Sequence, residues 1–333
     1  MNMYKKILVP VDNSKYSQYC TDLGITLAGR FGSDLTGSHV YSAGLHDKRF
    51  RDMEVGLPGH YKEEERLRRS RKVHDSLIGD GLRLISDAYL DSFKRGCTEA
   101  GIQFSCKLME GKNWLEILRD VRSSGYDLVI MGVLGLGAVN GNLIGGVCER
   151  VARKARTDVL AVKNGSPLGK RIVVGIDGSA EGFSAFGKAV ILGKLFDLKV
   201  EAVSVYDPHF HRRAFQALVG VLSGEAGKMF KFTEQEKLHD EIIDDGLGKI
   251  YQGHLDRAYL AGRKEGMEVK TVLLAGKAYS EICRYLEKDP PSLLVVSRFG
   301  AHQTEEMDIG NTAENLLRLA PCSVLLSCGA GTD

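Results

Sequence analysis

Residues 7–11 form a short unbroken apolar run, Ile-Leu-Val-Pro-Val, bounded by Lys6 and Asp12. A run so short, continuous and rich in β-branched residues predicts a strand buried on both faces. Ser14 then stands where a helix needs a capping oxygen. Tyr16, Cys20, Leu23, Leu27 and Phe31 follow at spacings of three and four, which is one apolar helical face. Further strands are predicted at 35–41, 102–108, 128–131 and 159–162, with helices at about 114–122 and 145–155 between the later ones. Strands alternating with helices imply an α/β fold, a parallel sheet covered on both faces. Ligands of such sheets bind beyond the carboxyl ends of the strands, where the strand order reverses. Asp12 and the loop after Met131 fall at that mouth. Between the second strand and Gly101 lies more chain than one crossover requires. Residues 61–97 are charged and helix-favouring, and predict a long helix preceded by an irregular loop holding Gly56, Pro58 and Gly59.

The whole pattern occurs twice. Lys6-Ile7-Leu8-Val9-Pro10-Val11-Asp12-Asn13-Ser14 recurs as Arg171-Ile172-Val173-Val174-Gly175-Ile176-Asp177-Gly178-Ser179, an offset of 165 since 177 − 12 = 165. Val40-Tyr41 falls on Val205-Tyr206, Gly111-Lys112 on Gly276-Lys277, and Glu149 and Arg153 on Glu314 and Arg318. One register held from first strand to last is the mark of a duplication. The segment 163–170, with Gly165, Ser166, Pro167 and Gly169, reads as a linker, and 329–333 as a polar tail. The expected domains are therefore residues 1–164 and 170–329, with the second insert helix at about 226–259.

Composition narrows the function. Forty-five basic and 43 acidic residues leave a formal charge of +2, so the overall balance points neither to nucleic acid nor to an anionic membrane. The apolar run near the start ends at Asp12, too short for a signal-peptide core, and no stretch approaches the roughly 18 apolar residues of a spanning helix. The seven cysteines are scattered without a CxxC pair, which fits a reducing cytoplasmic setting.

Candidate chemistry sits after the fourth strand, where residues 132–147 read Gly-Val-Leu-Gly-Leu-Gly-Ala-Val-Asn-Gly-Asn-Leu-Ile-Gly-Gly-Val. Glycines let backbone N–H groups approach an anion, and a helix opening at Gly145 would aim its N-terminal amides and dipole at a phosphate. No charged side chain lies between 132 and 146, so backbone donors must do the holding. The bland alternative is a glycine loop with no ligand, and the loop alone leaves both open. No GxxxxGK[ST] motif occurs, and Gly135-x-Gly137 lacks the third glycine of a dinucleotide fingerprint.

Gly132-x2-Gly135-x9-Gly145, flanked by 127–131 and by Glu149-Arg150-Val151, resembles the universal stress protein signature G-x2-G-x9-G-[ST]; Val9-Pro10-Val11-Asp12-x-Ser14 resembles that family's first strand and its acidic residue. The resemblance covers nearly the whole chain, one domain per copy, apart from the long inserts. It implies two tandem Rossmann-like domains of the adenine nucleotide alpha hydrolase-like kind, each a five-stranded parallel sheet flanked by helices. It also implies a stress-response protein binding ATP, or AMP or ADP, with magnesium left open, and acting as a regulator or sensor through a protein client. Asp12 would sit near the ribose, Val40 beside the adenine, and Met131 and Gly132 along base and ribose. Gly135, Gly145 and Gly146 would hold phosphates, with Pro10, Val11 and Val147 beside them. In that family the last strand commonly mediates pairing, so 158–162 and 323–326 are expected edges, for a homo-oligomer or for pairing of the two halves.

Two departures stand out. Gly146 replaces the signature's Ser or Thr, removing a hydroxyl but leaving the backbone N–H. The second copy reads Ser297-x2-Gly300-x9-Gly310-Asn311, and its loop carries His302, Glu305, Glu306 and Asp308, carboxylates that oppose an anion. Nucleotide is therefore expected in the first copy alone. Other readings carry less: a slow ATPase lacks a second carboxylate, a magnesium motif or a placed lysine at the mouth. A metal at His209-x-His211 (His46 repeats His211) lacks further ligands. The paired His74-Asp75 and His239-Asp240 suit a cap or pairing within the long helix. The mixed-sign run 62–72 suits a solvated helical face. A scaffold without any nucleotide is the remaining alternative. No catalytic or metal-binding residue is assigned.

Overall fold

The computed structural model describes residues 3–58, 62–138, 143–165, 168–208, 244–301 and 308–329. The chain divides into two units, Met1–Gly165 and Ser166–Asp333. Unit 1 runs β1 (Lys6–Pro10), α1 (Lys15–Phe31), β2 (Asp34–Tyr41), α2 (Ala43–Glu54), α3 (Glu64–Glu99), β3 (Phe104–Glu110), α4 (Asn113–Ser124), β4 (Leu128–Gly132), α5 (Gly146–Lys154) and β5 (Asp158–Val162). Its strands are parallel and ordered β3-β2-β1-β4-β5. The chain lays β2 and β3 to one side of β1 and then returns to place β4 on the other, so the crevice between the ends of β1 and β4 is the switch point.

Ile7, Leu8, Val9, Leu128, Val129 and Ile130 are all fully buried, as central strands covered on both faces require. Ser14 caps α1, its hydroxyl accepting from the Ser17 amide at 3.2 Å, and Gly32 at φ 68° ends it with a left-handed turn. The long insert is anchored at its carboxyl half only. Leu90, Phe93 and Cys97 of α3 are buried, and Phe93 lies so close to β2 that a Cβ on Gly37 would stand 2.5 Å from its ring. Farther out, Val73, Leu77 and Leu84 are 60%, 68% and 71% exposed.

Two expectations need correction. Residues 43–54, to which the sequence assigned no element, form α2, which packs on α3: Glu54 takes a bidentate ion pair from Arg71 at 2.5 and 2.7 Å, and Phe50 stacks on His74 at 4.1 Å. His74 thus serves this hairpin, not a cap. The third strand starts at Phe104, two residues late, because Gly101 at φ 66° and the bond from the Ile102 amide to the Cys97 carbonyl consume those residues in ending α3.

Unit 2 runs β6 (Arg171–Gly175), α6 (Ala180–Phe196), β7 (Lys199–Tyr206), α7 (Asp244–Lys264), β8 (Val269–Ala275), α8 (Ala278–Lys288), β9 (Leu293–Ser297), α9 (Asn311–Leu319) and β10 (Ser323–Ser327). Its parallel strands are ordered β10-β9-β6-β7-β8. The duplication reaches the backbone: Asp197, at φ 52° the one described non-glycine with positive φ, ends α6 at the position of Gly32. The Gly37–Phe93 contact is replaced by the buried pair Ala202 and Ala258, volume shifted from helix to strand. The start of the second expected insert helix, His209-x-His211 and His239-Asp240 lie outside the described residues. Among the described residues, no helix is long and apolar enough to cross a membrane.

Candidate functional site

A cavity of about 330 Å³ opens at the carboxyl ends of the unit 1 strands. Pro10, Val11 and Asp12 line it from the end of β1, and Val40 from β2. Met131 and Gly132 come from β4, and Gly135, Gly145, Gly146 and Val147 from the glycine loop and the first turn of α5. Every residue singled out from the sequence thus borders one space. The reason is topological, since β1 and β4 are neighbours whose following segments leave the sheet in opposite directions.

Asp12 acts as a clamp. One carboxylate oxygen accepts from the Ser14 amide at 2.9 Å, closing the turn into α1, and the other accepts from the Leu136 amide at 3.3 Å. The carboxylate thereby ties two loops 124 residues apart in the chain. Gly135 makes this possible, for a Cβ there would stand 2.8 Å from the Asp12 oxygen. Gly132 has another reason: a Cβ there would lie 2.5 Å from Cβ of Tyr16, so the glycine lets α1 pack against the end of β4. His39 lines the same space, its Nδ1 2.6 Å from the Val11 carbonyl, and so fixes the end of the β1 segment.

One end of the cavity is built by backbone and by one cation. The Gly145 amide donates to the Val133 carbonyl at 2.7 Å, folding the loop back so that α5 begins at Gly146 with its N-terminal amides at the cavity. Arg150 also lines the cavity. The loop itself carries no charge, but a helix brings residue i+4 back over residue i, so Arg150 stands one turn above Gly146. That spacing was legible, and the cavity therefore carries a cation beside its backbone donors. Arg150 lies 5.9 Å and Lys112 5.5 Å from the centre of the Trp114 ring, so that indole is flanked by two cations. Cys148 lines the wall, and burial pushes its thiol up to about 12, so it stays protonated and unreactive.

A second residue missed by the sequence reading is Ser38. It is fully buried on β2, lines the cavity, and its hydroxyl has no hydrogen-bond partner. Alternation along the strand from Val40 was the signal that could have found it.

Unit 2 holds a matching cavity of about 380 Å³, lined among others by Gly175, Asp177, Val203, Val205, Ser297, Arg298, Gly300, Gly310 and Asn311. The clamp is repeated: Asp177 accepts from Ser179 at 3.1 Å and from the Ala301 amide at 2.8 Å. The lining differs. Val203 replaces Ser38, Ser297 replaces Gly132, and Asn311 replaces Gly146. Arg298, 3% exposed, replaces Val133. Tyr251 of α7 adds a phenol whose acidity is lowered by burial and by Asp177. Of the acidic loop expected to repel an anion, Asp308 is described and exposed, while His302, Glu305 and Glu306 lie outside the described residues.

Comparison with known proteins places both units together. The universal stress protein family model matches residues 3–163 and again 169–327. Universal stress protein MJ0531 of Methanocaldococcus jannaschii is 28% identical over 162 residues, covering 49% of this chain and 84% of its own. Universal stress protein YxiE of Bacillus subtilis is 24% identical over 161 residues, 48% of this chain and all of its own. A universal stress protein of Archaeoglobus fulgidus has a crystal structure that covers 100% of this chain and 98% of its own, with a TM-score of 0.63 at 17% identity; this is a likeness of fold. The chain belongs to the universal stress protein family and carries two of its domains in tandem.

Proposed function

We propose that unit 1 binds ATP or a related adenine nucleotide, and that the chain acts as a regulator or sensor whose occupancy is read by a protein partner. The observation that carries this reading is the joining, in one cavity, of an apolar recess (Val40, Met131, Ile117) with a glycine-lined helix N-terminus and Arg150. The recess suits a flat heterocycle, and the amides and guanidinium suit phosphate oxygens. Hydrolysis is not favoured. Both oxygens of Asp12 already accept backbone amides, which suits a positioning role better than activation of water. The regulatory half is supported by α3, whose outer half presents the exposed apolar Val73, Leu77 and Leu84. In unit 2 the base-side residues Asp177 and Val205 remain, while the loss of Gly146 and Arg150 to Asn311 and Asn315 argues against a triphosphate there.

The test is calorimetric titration of the full chain with ATP, beside Gly146→Asp and Asn311→Asp. An aspartate in the first turn of a helix favours the helix but repels phosphate. At Gly146 the nearest atom to a new Cβ is a terminal Arg150 nitrogen at 3.3 Å, which can swing away. ATP binding lost in Gly146→Asp and kept in Asn311→Asp is the expected result. No saturable binding at millimolar ATP, or binding indifferent to Gly146→Asp, refutes the reading.

A further inference from the structure

Ser38 is wholly buried, its hydroxyl unpartnered at the wall of the unit 1 cavity. Its strand neighbours fix the way it faces. Gly37 abuts Phe93 of α3, so alternation turns Ser38 and Val40 to the opposite face, where Ile117 of α4 closes the cavity. Ser38 is in register with Pro10, the last residue of β1, and lies two residues inward of Val40, about 6.6 Å deeper along the strand. Gly146 and Arg150, by contrast, are exposed at the rim. The charge-binding groups are therefore outside, and a lone neutral hydroxyl is on the floor.

The second unit serves as an internal control. Val203 takes the same place, in register with Gly175 and lining the matching cavity, so this fold needs no hydroxyl there. Buried hydroxyls without partners are unfavourable and uncommon. Here the group lies against a cavity with room for an occupant, its oxygen just beneath the wall, where a turn about the Cα–Cβ bond would bring it within reach. Resting on the nucleotide reading above, we propose that Ser38 is the base-reading group of unit 1. Its hydroxyl shares a hydrogen bond with a polar atom on the edge of the heterocycle, so the floor distinguishes a base with such an edge from an apolar ring.

The test compares the full chain with Ser38→Ala, which removes only the hydroxyl, and Ser38→Val, which copies unit 2. Each is titrated with ATP and with inorganic triphosphate, and each is unfolded in urea as a check on the fold. Loss of one neutral hydrogen bond should weaken ATP about three- to tenfold in both variants. Triphosphate affinity and the urea midpoint should not fall. Unchanged ATP affinity overturns the role of Ser38 alone, as does an equal loss for ATP and triphosphate, which would mark a general distortion. Absence of ATP binding by the unsubstituted chain overturns the nucleotide reading itself, and this inference with it.

Discussion

The clamp at Asp12 makes a prediction whose sign, not only its size, can be checked. Gly135 has no positive φ, so alanine there meets no backbone strain, and the only atoms within 4 Å of its new methyl belong to the Asp12 carboxylate, the nearer at 2.8 Å. To restore an ordinary contact the carboxylate must retreat by about half an ångström, and the bond to the Leu136 amide, already 3.3 Å, does not survive that. Loss of a charge-assisted but exposed hydrogen bond costs about 1.5 kcal/mol, and the lower entropy of the unfolded alanine chain returns about 0.5 kcal/mol. Gly135→Ala should therefore destabilise unit 1 by about 1 kcal/mol. Asp12→Ala, which also loses the Ser14 bond, should cost about 2–3 kcal/mol. With the carboxylate already gone the methyl has nothing to strike, and Gly135→Ala should then stabilise by about 0.5 kcal/mol. The coupling between the two sites is thus about 1.5 kcal/mol. Trp114, the one tryptophan of the chain, belongs to unit 1, so its fluorescence in urea follows that unit. A change of 1 kcal/mol moves the midpoint by about 0.5 M at a slope near 2 kcal/mol/M. Equal costs of Gly135→Ala in both backgrounds would refute the clamp.

Two further outcomes follow from the same geometry. Arg150 is exposed, so Arg150→Ala should weaken ATP only about two- to fivefold at low salt and flatten the salt dependence, the difference vanishing near molar salt; a salt slope identical to the parent's would place Arg150 outside the site. Cys148, with its thiol held at about 12 by burial, remains protonated in the folded state when the unfolded chain ionises above its ordinary 9. A folded pKa raised in this way leaves stability intact below pH 9 and lowers it by about 1.4 kcal/mol per unit as the pH climbs toward 12. The variant Cys148→Ala, which copies Ala313 of unit 2, should therefore gain on the parent between pH 9 and 10 in Trp114-monitored urea unfolding. A difference that does not change with pH would contradict this.

What the sequence disclosed depended on whether a feature was local. The buried strands, the Ser14 cap and the 165-residue register rest on short-range patterns, and the structure holds each of them. Helix α2 was not legible because its segment is polar and few apolar residues mark a face. What holds it is tertiary, Phe50 on His74 and Glu54 on Arg71. The bond from Leu136 to Asp12 joins loops that only the fold brings together. Arg150 and Ser38 are intermediate cases. Each lies at a regular spacing, four along a helix from Gly146 or two along a strand from Val40, but each sits outside the glycine motif that drew the eye.

The two cavities separate what the fold demands from what a ligand demands. Both keep the aspartate clamp, with Gly135 and Gly300 beside it, and both fold the loop back by an amide bond, Gly145 to the Val133 carbonyl and Gly310 to the Arg298 carbonyl. These contacts join segments of the scaffold, and a unit that binds nothing would still need them. The changes fall on side chains that face the space: Ser38 to Val203, Val133 to Arg298, Gly146 to Asn311. They also change in kind, since polarity leaves the floor and a buried guanidinium enters near the loop. A retained cavity in unit 2 is thus accounted for by the fold alone.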